Sequence, residues 1–550
     1  MLLTATLFVP LVGALVVAFV PEANHRLARL VALAASLAAL ALAVVLAARF
    51  STGEAGFQLG QTAQWVPAFG VSYRVGVDGV SLPLVLLTTV LTTLAITGSW
   101  RMADRPRTYL ALLLVLETAM LGVFVSLDLF LFYVFWEAVL VPAYFLIGSF
   151  GGERRVYAAV KFFVYTLLGG LLMLVGIIAL FWLHQKATGT ATFDYEALVD
   201  FDKAPTTQRW LFAAFFAAFA IKTPLWPFHT WLPDAYTEAP TTTTVLLAGV
   251  MSKLGVYGFL RMALPLVPDG ARWAQPLLLT LAVVGILYCA LVATMQRDFK
   301  TLIAYSSVSH LGFIVLGIFA FNIQGLHGGV FYMVAHGLVI GGLFFVTGML
   351  EERRGTRRIE EFGGLQQAVP RMAGVMLVLT LGSVALPGLV GFVGEFLTLL
   401  GAFLENRAYA VLATLGVILG AVYLLWAYQR MWHGPLEREE NRALPDLTGR
   451  EWAILAPLSP PSSSWACSPG RCSNGSSRRL SASSSRPRPR VPDPGGATCT
   501  PWPKPTPSPC PCRRSTGAPS PPSWPCSSPG WCCCWWSPSG PGPGGACSPA

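Results

Sequence analysis

Six ionisable side chains stand where acid–base chemistry would have to work with little water. Glu137 lies in "LFYVFWEAVLVP", Lys222 in "FAIKTPLWPFHTWLPDA" and Lys253 in "LAGVMSKLGVYGFL". His310 lies in "AYSSVSHLGFI", His336 in "FYMVAHGLVIGG" and Glu395 in "VALPGLVGFVGEFLTLL". Two further residues, Glu117 and His229, share the setting with weaker signals. A central Lys or Asp in a bilayer costs about 2.5–3.5 kcal/mol on insertion scales, so such groups persist where they carry ions, find a partner or reach the interface. Acids and bases occur here together. A carboxylate beside a buried amine holds the amine's proton, and withdrawing the carboxylate releases it. That is a proton-loading switch, with Glu137 and Lys222 as the pair.

Each residue also has a plainer reading. Glu137 could be a protonated structural carboxyl. Lys222 could reach the interface from a helix kink, Lys161 is expected to snorkel from the end of its helix, and the histidines could be satisfied core imidazoles. His229, following Pro227, could cap a broken helix.

The elements that must hold these groups are membrane helices. The chain has 550 residues, is 54% hydrophobic and only 12% charged, with mean hydropathy +0.58. A soluble domain carries about 25% charged residues, so one large soluble core is excluded. Apolar runs fall near 2–20, 27–48, 80–99, 108–126, 128–149, 157–183, 209–232, 241–266, 274–294, 301–320, 326–349, 371–404 and 407–431, and another begins near 451. Each suits a bilayer-spanning helix of about 20 residues. The expectation is an all-α polytopic membrane protein of about 14 transmembrane helices, with the first run retained as a helix and not removed as a signal peptide. Lys and Arg number 18 in one set of alternate loops and 7 in the other. The positive-inside rule puts the first set in the cytoplasm and the N-terminus outside. Because the basic residues are spread over short loops, the net charge of +10 is no nucleic-acid footprint.

Pro224 and Pro227 break the seventh run, and Pro387 breaks the twelfth. Broken helices at membrane depth usually line a cavity. The two breaks are five spans apart, an odd offset that reverses direction in the membrane. This predicts two inverted five-helix repeats, helices 4–8 and 9–13. The expected divisions are 1–107 for helices 1–3, 108–266 and 274–431 for the two half-channel repeats, and 432–458 for a loop and the start of helix 14. Residues 459–550 hold 22 of the 41 prolines and 10 of the 11 cysteines. They read as a disordered tail that is the product of a reading-frame shift in a GC-rich gene, and no function is drawn from them.

"KTPLWPFHTWLPDAYTEAPTTTTVLLAGVMSKLGVYG" (222–258) resembles the fingerprint of the antiporter-like subunits of respiratory complex I. "LDLFLFYVFWEAVLVPAYFLIG", "DFKTLIAYSSVSHLGFIVLG" and "LPGLVGFVGEFLTLLGAF" match that group as well, and the resemblance covers about residues 1–458. "TEAP" and Glu395 favour one branch over relatives that carry lysine at that position. Tyr236 and Thr242–Thr244 depart from the family's usual residues and are expected not to touch the ionisable track. The resemblance implies proton pumping in a bacterial inner membrane, driven by NADH oxidation and quinone reduction in other subunits. Glu137 and Lys222 would be the modulating pair, Lys253 the central relay, His310 and His336 the link, and Glu395 the exit. The implied partners are the other membrane subunits, especially two related antiporter-like ones, together with lipid and protons. No flavin, NAD, iron–sulfur or metal site is expected in this chain. A cation/proton antiporter or membrane-bound hydrogenase subunit is the alternative. An intramembrane metalloenzyme is disfavoured, because no HExxH spacing occurs and the histidines lie on separate runs.

Overall fold

The computed structural model describes residues 1–102 and 104–459. The Pro-rich tail, with its frame-shift reading, lies outside the described residues apart from Ser459. Helices α1 (Leu2–Phe19) and α2 (His25–Arg49) form an antiparallel pair. A hairpin of β1 (Gln58–Val66) and β2 (Val71–Val77) follows, with Gln61 opposite Val75 and Ala63 opposite Tyr73. It corrects the all-helical expectation. In "VSYRVGV", Val71, Val75 and Val77 alternate onto a buried face, the period-2 pattern of a half-buried strand.

α3 (Ser81–Gly98) and α4 (Pro106–Val125) come next. α5 (Leu129–Phe150) departs from a single straight span. It is interrupted at Val139, two residues after Glu137. Pro142 supplies the cause, since it has no N–H to give the Ala138 carbonyl. At its start, Asp128 accepts from the backbone N–H groups of Phe130 and Leu131, both at 3.0 Å. α6 (Arg155–Thr188) ends on Gly189 in the left-handed conformation at φ 74°.

The seventh run is broken as expected, into α7a (Pro205–Lys222) and α7b (Trp231–Glu238). Its freed carbonyls find other donors: the Trp231 indole donates to Ile221 O at 2.9 Å, and Leu225 N donates to Ala220 O at 2.9 Å. α8 (Thr241–Leu266) carries two widened π turns, Leu247–Met251 and Phe259–Ala263, on either side of Lys253. The second precedes Pro265, which cannot donate to the Arg261 carbonyl.

α9 (Pro268–Thr294), α10 (Phe299–Ile318) and α11 (Ile323–Arg354) follow. Asp298 caps α10 through Thr301 N, and Asn322 caps α11 through Gly325 N, each at 2.9 Å. The twelfth run divides into α12a (Pro370–Ser383) and α12b (Val390–Glu405), with Pro387 between them and positive φ at Ala385 and Gly388. α13 (Arg407–Trp432) is continuous, and α14 (Gly449–Leu455) begins with a Thr448–Glu451 capping box.

Among the described residues, 11 helices are long and apolar enough to cross a membrane. The other expected spans are the two interrupted ones and the last, which reaches the edge of the described residues. In α8 the whole apolar window is buried, and in α10 89% of it is, whereas α2, α6 and α13 turn apolar side chains outward. Lys253, His310 and His336 therefore sit on the most enclosed helices, α8, α10 and α11.

Candidate functional site

The centre of the site is a contact between α8 and α11. Lys253 Nζ lies 2.7 Å from His336 Nδ1, and both residues are buried. The first π turn explains how α8 accommodates an ammonium. Ser252 N–H bonds to the carbonyls of Leu247 and Val250, so the Ala248 carbonyl loses its usual helical donor. It accepts instead from Lys253 Nζ at 2.6 Å and from Ser252 Oγ at 2.9 Å. π turns are frequent at functional sites because they free backbone groups in this way. A hydrogen bond between an amine and an imidazole nitrogen needs one lone pair. The contact is satisfied with both groups neutral, one N–H donating to the other's lone pair, and the pair can take up one excess proton on either nitrogen.

The two helices reach this distance because Gly249 and Gly337 meet at their crossing. A side-chain carbon on Gly337 would lie 2.7 Å from Leu87 Cδ2 and 2.8 Å from Gly249 O. On the neighbouring α10, the His310 ring stands 5.7 Å from that of His336, centroid to centroid. His310 Nδ1 is 2.7 Å from the Tyr332 hydroxyl, and Nε2 is 3.3 Å from Ser383 Oγ. Ser383 ends α12a, so the histidine pair reaches the break in the twelfth run. A cavity of about 10 Å³, lined by His310, Tyr332, His336 and Ser383 among others, lies at this junction. That is close to the space one water molecule needs.

The expected pair is less intimate. Glu137 and Lys222 act on each other electrostatically, yet no ion contact within 4.0 Å joins them. Lys222 is buried at the end of α7a, with Nζ 4.8 Å from the centre of the Trp136 ring. Lys222 Nζ and Glu137 Oε1 make no hydrogen bond among the described residues, and neither does Glu395 Oε2. A buried polar atom without a partner is costly, and these three are the unsatisfied points of the site. Both carboxylate oxygens of Glu117 are likewise buried and without a hydrogen bond among the described residues.

Three expectations change. Lys161 does not simply snorkel: its Nζ pairs with Asp234 of α7b at 2.7 Å, tying α6 to the broken helix. His229 does not cap α7b, which has no side-chain cap, and its ring packs edge-on against Tyr288 at 5.6 Å. Tyr236 does touch the track, since its hydroxyl donates to Leu247 O at 3.0 Å inside the first π turn. Thr244 in turn donates to Tyr236 O at 3.0 Å. The reading of single charges passed over Tyr236, Ser252, Tyr332 and Ser383, because uncharged hydroxyls in apolar helices are common. Tyr332 alone carried a local signal, standing four residues before His336 on the same helix. Among the described residues, no group of three or more His, Cys, Asp or Glu could hold a metal ion.

Buried acids and bases strung through interrupted membrane helices define a class of ion-translocating membrane subunits. The family described as NADH:quinone oxidoreductase/Mrp antiporter, TM, matches residues 126–420, and the chain belongs to it. It is 44% identical to NADH-quinone oxidoreductase subunit M of Rhodobacter capsulatus, over 83% of this chain and 91% of that protein. Chain 4 of the NADH-ubiquinone oxidoreductase of Arabidopsis thaliana is 40% identical, over 83% and 91%. Among solved structures, respiratory complex I from Thermus thermophilus matches with TM-score 0.78 and 36% identity, covering 88% of this chain and 98% of that one. The Mrp complex from Dietzia sp. matches with TM-score 0.70 and 25% identity, covering 79% and 81%.

Proposed function

We propose that this chain is the proton-translocating, subunit M-like membrane component of an NADH:quinone oxidoreductase. The observation that carries this reading is the buried Lys253–His336 contact, in a chain where Glu137 Oε1, Lys222 Nζ and Glu395 Oε2 make no hydrogen bond among the described residues. Membership of the family and the likeness to subunit M support it.

In this reading α1 to α14 make fourteen crossings with the N-terminus outside. Helices 4–8 and 9–13 are inverted repeats, broken at α7 and α12. Residues 1–107 form the N-terminal helices, 108–266 and 274–431 the two half-channels, and 432–458 the lead into α14. The chain sits in a bacterial inner membrane beside other membrane subunits, including two related antiporter-like ones. Those and the peripheral subunits hold NADH, flavin, iron–sulfur clusters and quinone.

The mechanism follows from which groups lack partners. When the Glu137 carboxylate approaches Lys222, the ammonium is stabilised. When it withdraws, Lys222 is left buried without a counter-charge and gives up its proton toward Lys253. The proton then rests on the Lys253–His336 pair, passes to His310 and leaves through Glu395. Glu117 and His229 border this route without a defined step. Each transfer moves one proton between neutral and charged partners, so the field of the pair upstream sets the direction.

Glu137→Ala and Lys222→Ala test the reading in the assembled complex, in inverted membrane vesicles. Both should lower NADH-driven proton pumping and turnover at least about tenfold, the scale of losing a positioned proton donor. Assembly should be normal on a native gel. Normal pumping by both variants would sink the assignment.

A further inference from the structure

Beside His310 lies a hydroxyl that the route does not yet use. Tyr332 is on α11, one turn before His336, and is buried. Its OH is 2.7 Å from His310 Nδ1, the shortest contact either histidine nitrogen makes on this side. The other face of the tyrosine is against α12b. A side-chain carbon on Gly394 would fall 2.6 Å from Tyr332 Cβ and 2.8 Å from its Cα and Cγ. Tyr332 therefore packs on the bare backbone immediately before Glu395. Glu395 acts electrostatically on Tyr332 and on Tyr423, while Tyr423 OH is already committed to Ser306 Oγ at 2.8 Å. Glu395 Oε2 makes no hydrogen bond among the described residues. One phenol thus touches the last histidine, and its own chain lies on the residue next to the exit carboxylate.

We propose that Tyr332 is a proton-relay residue, whose phenol hands protons from His310 to Glu395 across the α11–α12b interface. This rests on the route proposed above. A proton reaching His310 at Nε2 makes the imidazolium. Its Nδ1–H then passes to the phenolic oxygen as the phenolic O–H passes on to the Glu395 carboxylate, which becomes the neutral acid. The phenol is neutral before and after, and His310 is left as the Nε2–H tautomer. Return of the ring to the Nδ1–H tautomer resets the step, and no electrons are transferred. Ser383 Oγ, at 3.3 Å from Nε2, is a longer and weaker partner. It orients the ring and does not carry the proton onward.

The test uses the whole complex in inverted vesicles, with protons pumped per NADH oxidised as the readout. Tyr332→Phe keeps the ring on Gly394 and removes only the hydroxyl. It should lower pumping at least about tenfold with normal assembly, the scale of a lost proton-transfer group. Ser383→Ala removes only the longer, orienting hydrogen bond and should lower pumping less than Tyr332→Phe does. Glu395→Gln is run beside them. Loss with Glu395→Gln but normal pumping with Tyr332→Phe overturns the relay and leaves the route standing. Normal pumping with both overturns the route itself. Loss with Ser383→Ala and not with Tyr332→Phe assigns the step to the serine and also overturns the proposal. If Tyr332→Phe assembles poorly, Tyr332→His, which restores a titratable group, decides: recovery of pumping supports the relay, and persistent loss in an assembled complex overturns it.

Discussion

The carboxylate of Glu137 lies against the bare Cα of Gly170. A side-chain carbon built on Gly170 would overlap Glu137 Oε1. The glycine on α6 is thus the floor of the space that holds the acid, and the adjacent Gly169 lets α6 approach Ala218 of α7a. Gly170→Ala should push the carboxylate away from its present position. An overpacked buried methyl costs about 1–3 kcal/mol, which the complex can absorb without disassembly. The expected result is normal assembly with reduced proton pumping, read as acidification of inverted vesicles on NADH addition. Unchanged pumping would mean that the position of the Glu137 carboxylate does not matter to the route.

The Lys253–His336 contact depends on how closely α8 and α11 cross. Gly337→Ala would drive a methyl into Leu87 and the Gly249 carbonyl and lengthen the 2.7 Å bond. Hydrogen bonds weaken steeply with such displacement. One turn further on, a methyl on Gly341 would meet Leu91 at 3.4 Å and Val245 at 3.6 Å, ordinary packing distances. Gly337→Ala should therefore impair pumping while Gly341→Ala does not. Equal behaviour of the two would detach pumping from the crossing.

Much of this was legible in the sequence. Buried charges in long apolar runs are rare enough to be read one by one, and Pro224, Pro227 and Pro387 mark the breaks because proline has no N–H to give. Gly249 and Gly255 flank Lys253 in the sequence, small residues allow close helix approach, and Gly249 does meet Gly337. What stayed hidden depends on tertiary partners. The π turn at Leu247–Met251 has no proline to announce it. Nothing local ties Tyr236 to Leu247 O or Lys161 to Asp234. The β1–β2 hairpin was missed because a span search passes over short, partly polar strands, although the alternation in Val71–Val77 carries the strand signal.

Glu395 tests what the exit site needs. The residue is buried on α12b, and one carboxylate oxygen makes no hydrogen bond among the described residues. Glu395→Leu removes any titratable group and should abolish most of the pumping. Glu395→Gln should also impair it, because an amide cannot take up a proton. Glu395→Lys should be milder, since lysine also loads and releases one. The ranking of pumping, Lys above Gln and Leu, is the measurement. A full rate with Glu395→Leu would remove the residue from the route.

Asp128 tests how the outer hairpin supports the site. Its carboxylate accepts four hydrogen bonds: Oδ1 from Phe130 N and Leu131 N at the start of α5, and Oδ2 from Ser72 N at 2.9 Å and Ser72 Oγ at 3.1 Å. Asp128→Asn keeps one oxygen for the cap but turns an NH₂ group toward the Ser72 N–H. Asp128→Ala loses both sides, and an N-cap alone is worth about 0.5–2 kcal/mol. Thermal stability should fall in the order wild type, Asn, Ala. Burial also raises this carboxyl above its ordinary range, and the four hydrogen bonds oppose that rise. The folded chain then holds the proton more tightly than the unfolded one, so the residue favours the fold most at low pH and less as pH rises through the raised value. Asp128→Asn cannot titrate there. The difference in melting temperature between wild type and Asp128→Asn should therefore shrink as pH rises through that window, and a gap that widens instead would refute the assignment.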